Sequence, residues 1–188
     1  MTAAQLASAI HNAVHTSQLQ KQLNNLAHYD SLTGLLNRNL LYNRLSHAVG
    51  RCNRYGHSCA VLVIDLNNFK PVNEIYGYDV GDRVLQYVAA CIRDNCRSTD
   101  SPARMGGDEF VVLLEHVNED SGQLITAKII NAIQTPLELN GITIQLSASA
   151  GLATYPVAAS VEELLKHAEE ALILAKNTQD QNWVSFST

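Results

Sequence analysis

The sequence predicts a mixed β-sheet covered by helices, an α/β or α+β sandwich, on three observations. Residues 59–66, Cys-Ala-Val-Leu-Val-Ile-Asp-Leu, form an apolar run suited to a strand buried on both faces. Residues 103–114 read as a β-hairpin, because Gly106 and Gly107 can supply the positive φ angles of a tight turn and Phe110 to Leu114 are strand formers. Between and around these runs lie segments whose apolar residues recur at helical spacing, and strands mixed with helices in this way bury their apolar faces against one another.

The elements follow in order. Residues 3–27 lack Gly and Pro and place Leu6, Ile10, Ala13 and Val14, then Leu19, Leu23 and Leu26, at helical intervals. This predicts a long amphipathic helix ahead of a domain spanning 28–188, of the kind that packs against a partner copy or continues from an upstream domain. His11 and His15 have metal-ligand spacing, but with no third ligand nearby they read as surface histidines. Residues 30–38, Asp-Ser-Leu-Thr-Gly-Leu-Leu-Asn-Arg, are a structured turn, after which Leu40, Leu41, Leu45, Ala48 and Val49 resume a helix. Residues 50–58 read as a loop. After the 59–66 strand, residues 67–74 are a loop entering a helix with Pro71 in its first turn, and 76–82 read as a break before a helix from Asp82 to near Asn95. Residues 121–134 predict another helix, 142–149 a strand with one buried face, 160–176 a last helix and 183–186 a terminal strand.

Charge and composition exclude several functions. The net charge is -5 with 13 Lys and Arg scattered along 188 residues, which disfavours a nucleic-acid-binding face and a polymerase acting on nucleic acid. No apolar run is long enough to span a bilayer, and Met1 is not followed by an export signal, so a cytoplasmic protein without membrane contact is expected. The four cysteines lack Cys-x-x-Cys spacing and signal neither zinc nor disulfides.

The chemistry concentrates at carboxylates. Asp108 and Glu109 stand where the hairpin turn meets its second strand, beside two residues without side chains, so acid and backbone can approach a metal-bound phosphate together. Asp65 ends a buried strand, where a carboxylate is costly unless a cation or donor compensates it. If the first strand pairs with the hairpin, Asp65 lies beside Asp108. Free amides at the start of the helix entered by residues 67–74, with Lys70 beside them, add an anion site, and the set suits a hard cation holding a nucleoside triphosphate.

These stretches resemble the GGDEF family, the diguanylate cyclases. The likeness spans residues 28–186 and rests on Asp30-Ser31-Leu32-Thr33-Gly34-Leu35 with Asn37-Arg38, Asp65, Phe69-Lys70, Asn73, Gly77, Gly81-Asp82, Arg104, Gly106-Gly107-Asp108-Glu109-Phe110, Ser149-Ala150-Gly151 and Ala175-Lys176. The resemblance implies a palm-like sheet shared with nucleotidyl cyclases, and condensation of two GTP into cyclic di-GMP with release of two pyrophosphates. It implies that Asp65, Leu66, Asp108 and Glu109 hold Mg²⁺ or Mn²⁺, with Asp108 and Glu109 catalytic. Phe69, Lys70, Asn73, Asp82, Gly106, Gly107 and Lys176 would bind substrate, Asn73 and Asp82 reading guanine and the two lysines meeting phosphate. Arg97 and Asp100 occupy the place of the family's inhibitory product site. Each domain would hold one GTP, so a homodimer is implied, paired through an N-terminal helix that resembles the closing helix of a GAF-type sensor. An upstream sensor and a downstream phosphodiesterase domain are the partners such a chain would have.

The sequence departs from the family around the nucleotide. Asn67 stands where Asp is usual, Glu74 where Asp is usual and Tyr78 where His is usual, and Gln179-Asp180-Gln181, or Gln179-Asp180 with a shifted Asn182, replaces a Gly-Arg-Asn run. Each lost charge-assisted contact removes about 1.5–3 kcal/mol. The alternative is therefore a catalytically weak module that binds GTP or cyclic di-GMP and regulates a neighbouring domain.

Overall fold

A computed structural model describes residues 10–16, 27–155, 160–178 and 181–186. Of the long helix expected over residues 3–27, residues 10–16 are helical with His11 and His15 exposed, and the remainder to residue 26 lies outside the described residues.

Helix α1 (Arg38–Tyr55) starts at Asn37, whose side chain accepts the Leu40 N–H, and stops at Gly56 in the left-handed region with φ 68°. The helix runs through part of the 50–58 segment expected as a loop. Cys52 still reaches the core, while Gly50 faces outward where a missing side chain costs no packing. Strand β1 (Cys59–Leu66) follows at the centre of the molecule.

Helices α2 (Phe69–Tyr76) and α3 (Tyr78–Asp94) are separated by Gly77 alone, at φ 89°. The break expected over 76–82 is therefore confined to one residue, and α3 begins at Tyr78 rather than Asp82. Strands β2 (Ser101–Gly106) and β3 (Glu109–Glu115) form the hairpin, with Gly106 at φ 137° and Gly107 at φ 53°, as the paired glycines predict. Helix α4 (Glu119–Ile133) is capped by Asn118, which accepts the Ser121 N–H.

The strand expected over 142–149 is two strands. β4 (Leu137–Leu139) pairs with β5 (Ile142–Ile144) in a small separate hairpin, and β6 (Ala148–Tyr155) joins the main sheet. The alternating pattern runs unbroken through the junction, but Gln145 donates to the Gln134 carbonyl and the Ser147 carbonyl accepts the Asn67 N–H. These tertiary bonds turn the chain from one sheet into the other. Helix α5 (Val161–Asn177) starts at Ser160, and β7 (Trp183–Ser185) ends the fold.

The main sheet has the order β2-β3-β1-β6-β7, antiparallel except for the parallel β6–β7 pair. Side chains of its central strands divide by parity. Leu62, Ile64, Phe110, Val112 and Leu152 pack with α3 and α4 on one face. Val61, Val63, Val111, Leu113 and Ala153 pack with α1 and α5 on the other. Two cores of this kind explain why β1 reads as an unbroken apolar run. No helix among the described residues is long and apolar enough to cross a membrane.

Candidate active site at the end of the central strands

The β1–β3 register opposes Asp65 to Glu109, and the β1–β6 register opposes Asp65 to Ser149. Parity with Val63 and Val111 puts Asp65 and Glu109 on the α1/α5 face, at the strand ends. Asp108 stands one residue further into the turn, where its carbonyl accepts the Leu66 N–H at 3.4 Å. The neighbour of Asp65 across the strands is thus Glu109, with Asp108 beyond it. Burial raises the proton affinity of Glu109, and the negative charges of Glu169, Asp65 and Asp108 raise it further against an opposing effect of Arg38. Glu169 and Arg38 reach this site from α5 and α1.

The turn is clamped from behind. Arg104 donates from Nε and Nη2 to the Gly107 carbonyl at 3.0 and 2.7 Å, and from Nη1 to both Asp30 oxygens at 3.2 and 3.3 Å. Asp30 also accepts the Thr33 N–H and hydroxyl at 2.9 and 2.6 Å. Burial disfavours the Asp30 charge, but Thr33 and the Arg104 guanidinium outweigh it and hold the carboxyl below its usual value. A carboxyl depressed on folding stabilises the protein above its unfolded pKa, and that stability disappears as the pH falls through the folded value. Asp30→Asn is expected to cost about 2 kcal/mol at pH 7. Thermal melts of both proteins across the acid range check this: the difference in Tm closes as the native Asp30 protonates.

A polar cavity of about 440 Å³ opens beside the acids, lined by Asp65, Leu66, Asn67, Ser147, Ser149 and Lys176 among others. Lys176, in the last turn of α5, places its Nζ 2.7 Å from Asp65 Oδ1. The Asn67 amide donates to Ser147 Oγ and accepts from Ser149 Oγ, both at 3.0 Å. The residue that stands in place of a family Asp thereby ties β1 to β6. Gln179 and Asp180 lie outside the described residues.

The remaining residues fall into two groups. Asn73, on α2, lies against Gly81 of α3, one residue before the exposed Asp82; a Cβ at Gly81 would stand 1.7 Å from Asn73 Oδ1. Phe69 packs on the core, while Lys70 is exposed and pairs with Glu74 at 3.5 Å. Arg97 and Asp100 sit elsewhere: the Asp100 carboxylate accepts the Arg97 N–H at 2.7 Å and the Glu115 N–H at 3.3 Å. Glu115 closes β3 and Glu109 opens it, so the Asp100 site is roughly 20 Å from the acidic turn. Arg97 shares a cavity of about 300 Å³ with Lys128 of α4, a cation the sequence reading missed because nothing local marks it.

The profile described as "Diguanylate cyclase, GGDEF domain" matches residues 27–182. This chain belongs to the GGDEF family. The GGDEF domain is 38% identical over 175 residues to the bifunctional diguanylate cyclase/cyclic di-GMP phosphodiesterase MucR of Pseudomonas aeruginosa, covering 93% of this chain and 25% of that protein. It is 41% identical over 153 residues to the diguanylate cyclase TpbB of the same organism, covering 80% of this chain and 35% of TpbB. The chain thus spans a quarter to about a third of these relatives. Among solved structures, the GGDEF domain of TpbB superposes with a TM-score of 0.80 at 38% identity, covering 85% of this chain and 95% of that one. The coiled coil and GGDEF domain of DgcB from Caulobacter crescentus, solved with c-di-GMP, gives a TM-score of 0.87 at 22% identity with 97% of each chain covered, a likeness of fold.

Proposed function

We propose that this GGDEF domain is a diguanylate cyclase, joining two GTP into cyclic di-GMP in a cytoplasmic homodimer. The observation that carries the reading is the meeting of Asp65, Asp108 and Glu109 at one end of the central strands, beside Lys176 and a polar cavity. The donors fit a hard divalent cation, since all are oxygens; burial, and then the charges of Glu169, Asp65 and Asp108, raise the proton affinity of Glu109. Asp65, the Leu66 carbonyl, Asp108 and Glu109 would hold Mg²⁺ or Mn²⁺, which when bound neutralises triphosphate charge and lowers the pKa of the attacking 3′-hydroxyl.

The chain's own residues do the rest. Asn73 and Asp82 meet the guanine edge, an amide offering both donor and acceptor and a carboxylate taking the ring N–H groups. Lys70 and Lys176 meet the phosphates, and the open backbone at Gly106 and Gly107 lets the nucleotide approach the acids. In each half-reaction the 3′-oxygen of one GTP bonds to the α-phosphorus of the other, the bond to the β-phosphate bridge breaks, and pyrophosphate leaves. Asp108 or Glu109 receives the hydroxyl proton. One GTP per domain requires two domains face to face, and the N-terminal segment, helical over residues 10–16, pairs them, below a sensor in a longer protein that can also carry a phosphodiesterase domain.

The Arg97–Lys128 cavity is the product site. Asp100 holds the loop through its two main-chain bonds, leaving Arg97 and Lys128 to meet the product's phosphates and guanine. A second reading, a module that binds nucleotide with little turnover, is favoured by one observation: among the described residues Lys176 is the sole Lys or Arg lining the cavity, and it is already paired with Asp65. Incubation with GTP and Mg²⁺ followed by chromatography separates the two readings. Cyclic di-GMP is expected from the native protein and none from Asp108→Asn; intact GTP in both supports the module.

A further inference from the structure

The Lys176–Asp65 pair occupies the place where the proposed reaction needs a cation on Asp65. Nζ lies 2.7 Å from Oδ1, closer than the spacing of a loose surface pair; Lys176 is exposed and Asp65 half-buried, at 40% and 25% exposure. Asp65 stands between Glu109 and Ser149 in the strand register, at the end of the central strands. Among the described residues, the cation paired with the Asp65 carboxylate is the ammonium carried by the last turn of α5.

We infer that Lys176 is a placeholder cation: it and a divalent metal compete for Asp65, and triphosphate settles the competition by drawing the ammonium onto phosphate. This rests on the cyclase reading of the site and deepens it. A compact ammonium on a flexible four-carbon stem suits such a handover, since it can pair with a carboxylate in one state and a phosphate in the other without backbone movement. Two consequences follow. Asp65 stays compensated before metal arrives, which spares the fold an unpaired carboxylate beside Glu109. Metal alone binds weakly, and metal and triphosphate bind cooperatively, because each favours the arrangement in which Lys176 has left Asp65.

Mn²⁺ binding without nucleotide, read from the EPR signal of free Mn²⁺, tests the handover apart from turnover. Lys176→Gln is expected to bind Mn²⁺ about tenfold more tightly than the native protein, within the usual span of coupling between sites. Lys176→Arg, which keeps the charge, is expected to stay weak, and Asp65→Asn in the Gln background should abolish the gain. Far-UV circular dichroism confirms that each variant is folded. Equal or weaker Mn²⁺ binding by Lys176→Gln, including no binding by any variant, overturns the placeholder role. A gain that survives Asp65→Asn overturns it too, by placing the metal elsewhere. Cyclic di-GMP formation by the native protein is measured separately, so loss of the placeholder and loss of the cyclase reading are distinguishable.

Discussion

Replacing Gly151 by alanine is expected to lower Tm by about 10 °C, the scale of a 3 kcal/mol loss in a domain of this size. Gly151 lies in β6 on the face that carries α5, opposite Val63 of β1. A Cβ there would stand 2.0 Å from the Ala168 carbonyl oxygen and 2.3 Å from the Leu172 nitrogen. Both are main-chain atoms inside a helix, so no rotamer change relieves the clash and α5 must lift from the sheet. The buried Leu164, Ala168 and Leu172 then lose their packing. Because α5 also carries Lys176 and Glu169 to the acids, activity should fall together with stability. Gly122→Ala is a fitting comparison. Its Cβ would meet only the Leu152 side chain, at 3.2 Å, and a far smaller drop in Tm is expected.

Gly81→Ala should separate the other way, with a large loss of GTP affinity and little loss of stability. Here the clash is with the end of a side chain, Asn73 Oδ1 at 1.7 Å and its Cγ at 2.9 Å. Asn73 is only partly buried and can rotate toward solvent, so the fold has an inexpensive escape. That escape removes the amide proposed to read guanine. A lost pair of hydrogen bonds to a bound base corresponds to roughly ten- to a hundredfold in affinity. Calorimetric titration with a non-hydrolysable GTP analogue, beside a thermal melt, reads both quantities. An unchanged affinity would remove Asn73 from the guanine site.

What the sequence made legible was local. The turn at Gly106 and Gly107 could be read because two glycines in succession serve a left-handed backbone. Asp65 could be read because a carboxylate ending an apolar strand needs a partner. Less legible were features set by pairing at a distance. The periodic pattern of 142–149 hid the switch between sheets, which depends on the bond from the distant Asn67 to Ser147 and on the bond from Gln145 back to the end of α4 at Gln134. The choice of Glu109 rather than Asp108 as the neighbour of Asp65 follows from the register of β1 on β3, and one residue of slip would reverse it. Lys128 and Glu169 reach their sites from helices in which nothing local marks them. Arg97 and Asp100 were legible as a pair, but not that Asp100 spends its carboxylate on two main-chain amides.

The most direct measurement of the central claim is the rate of cyclic di-GMP formation from GTP and Mg²⁺ across a series of protein concentrations, with Asp108→Asn in parallel. A site completed by two facing domains should give product whose formation rises more steeply than linearly with protein and vanishes in the variant. GTP left intact at every concentration, or a product that the variant forms equally well, would contradict the cyclase reading.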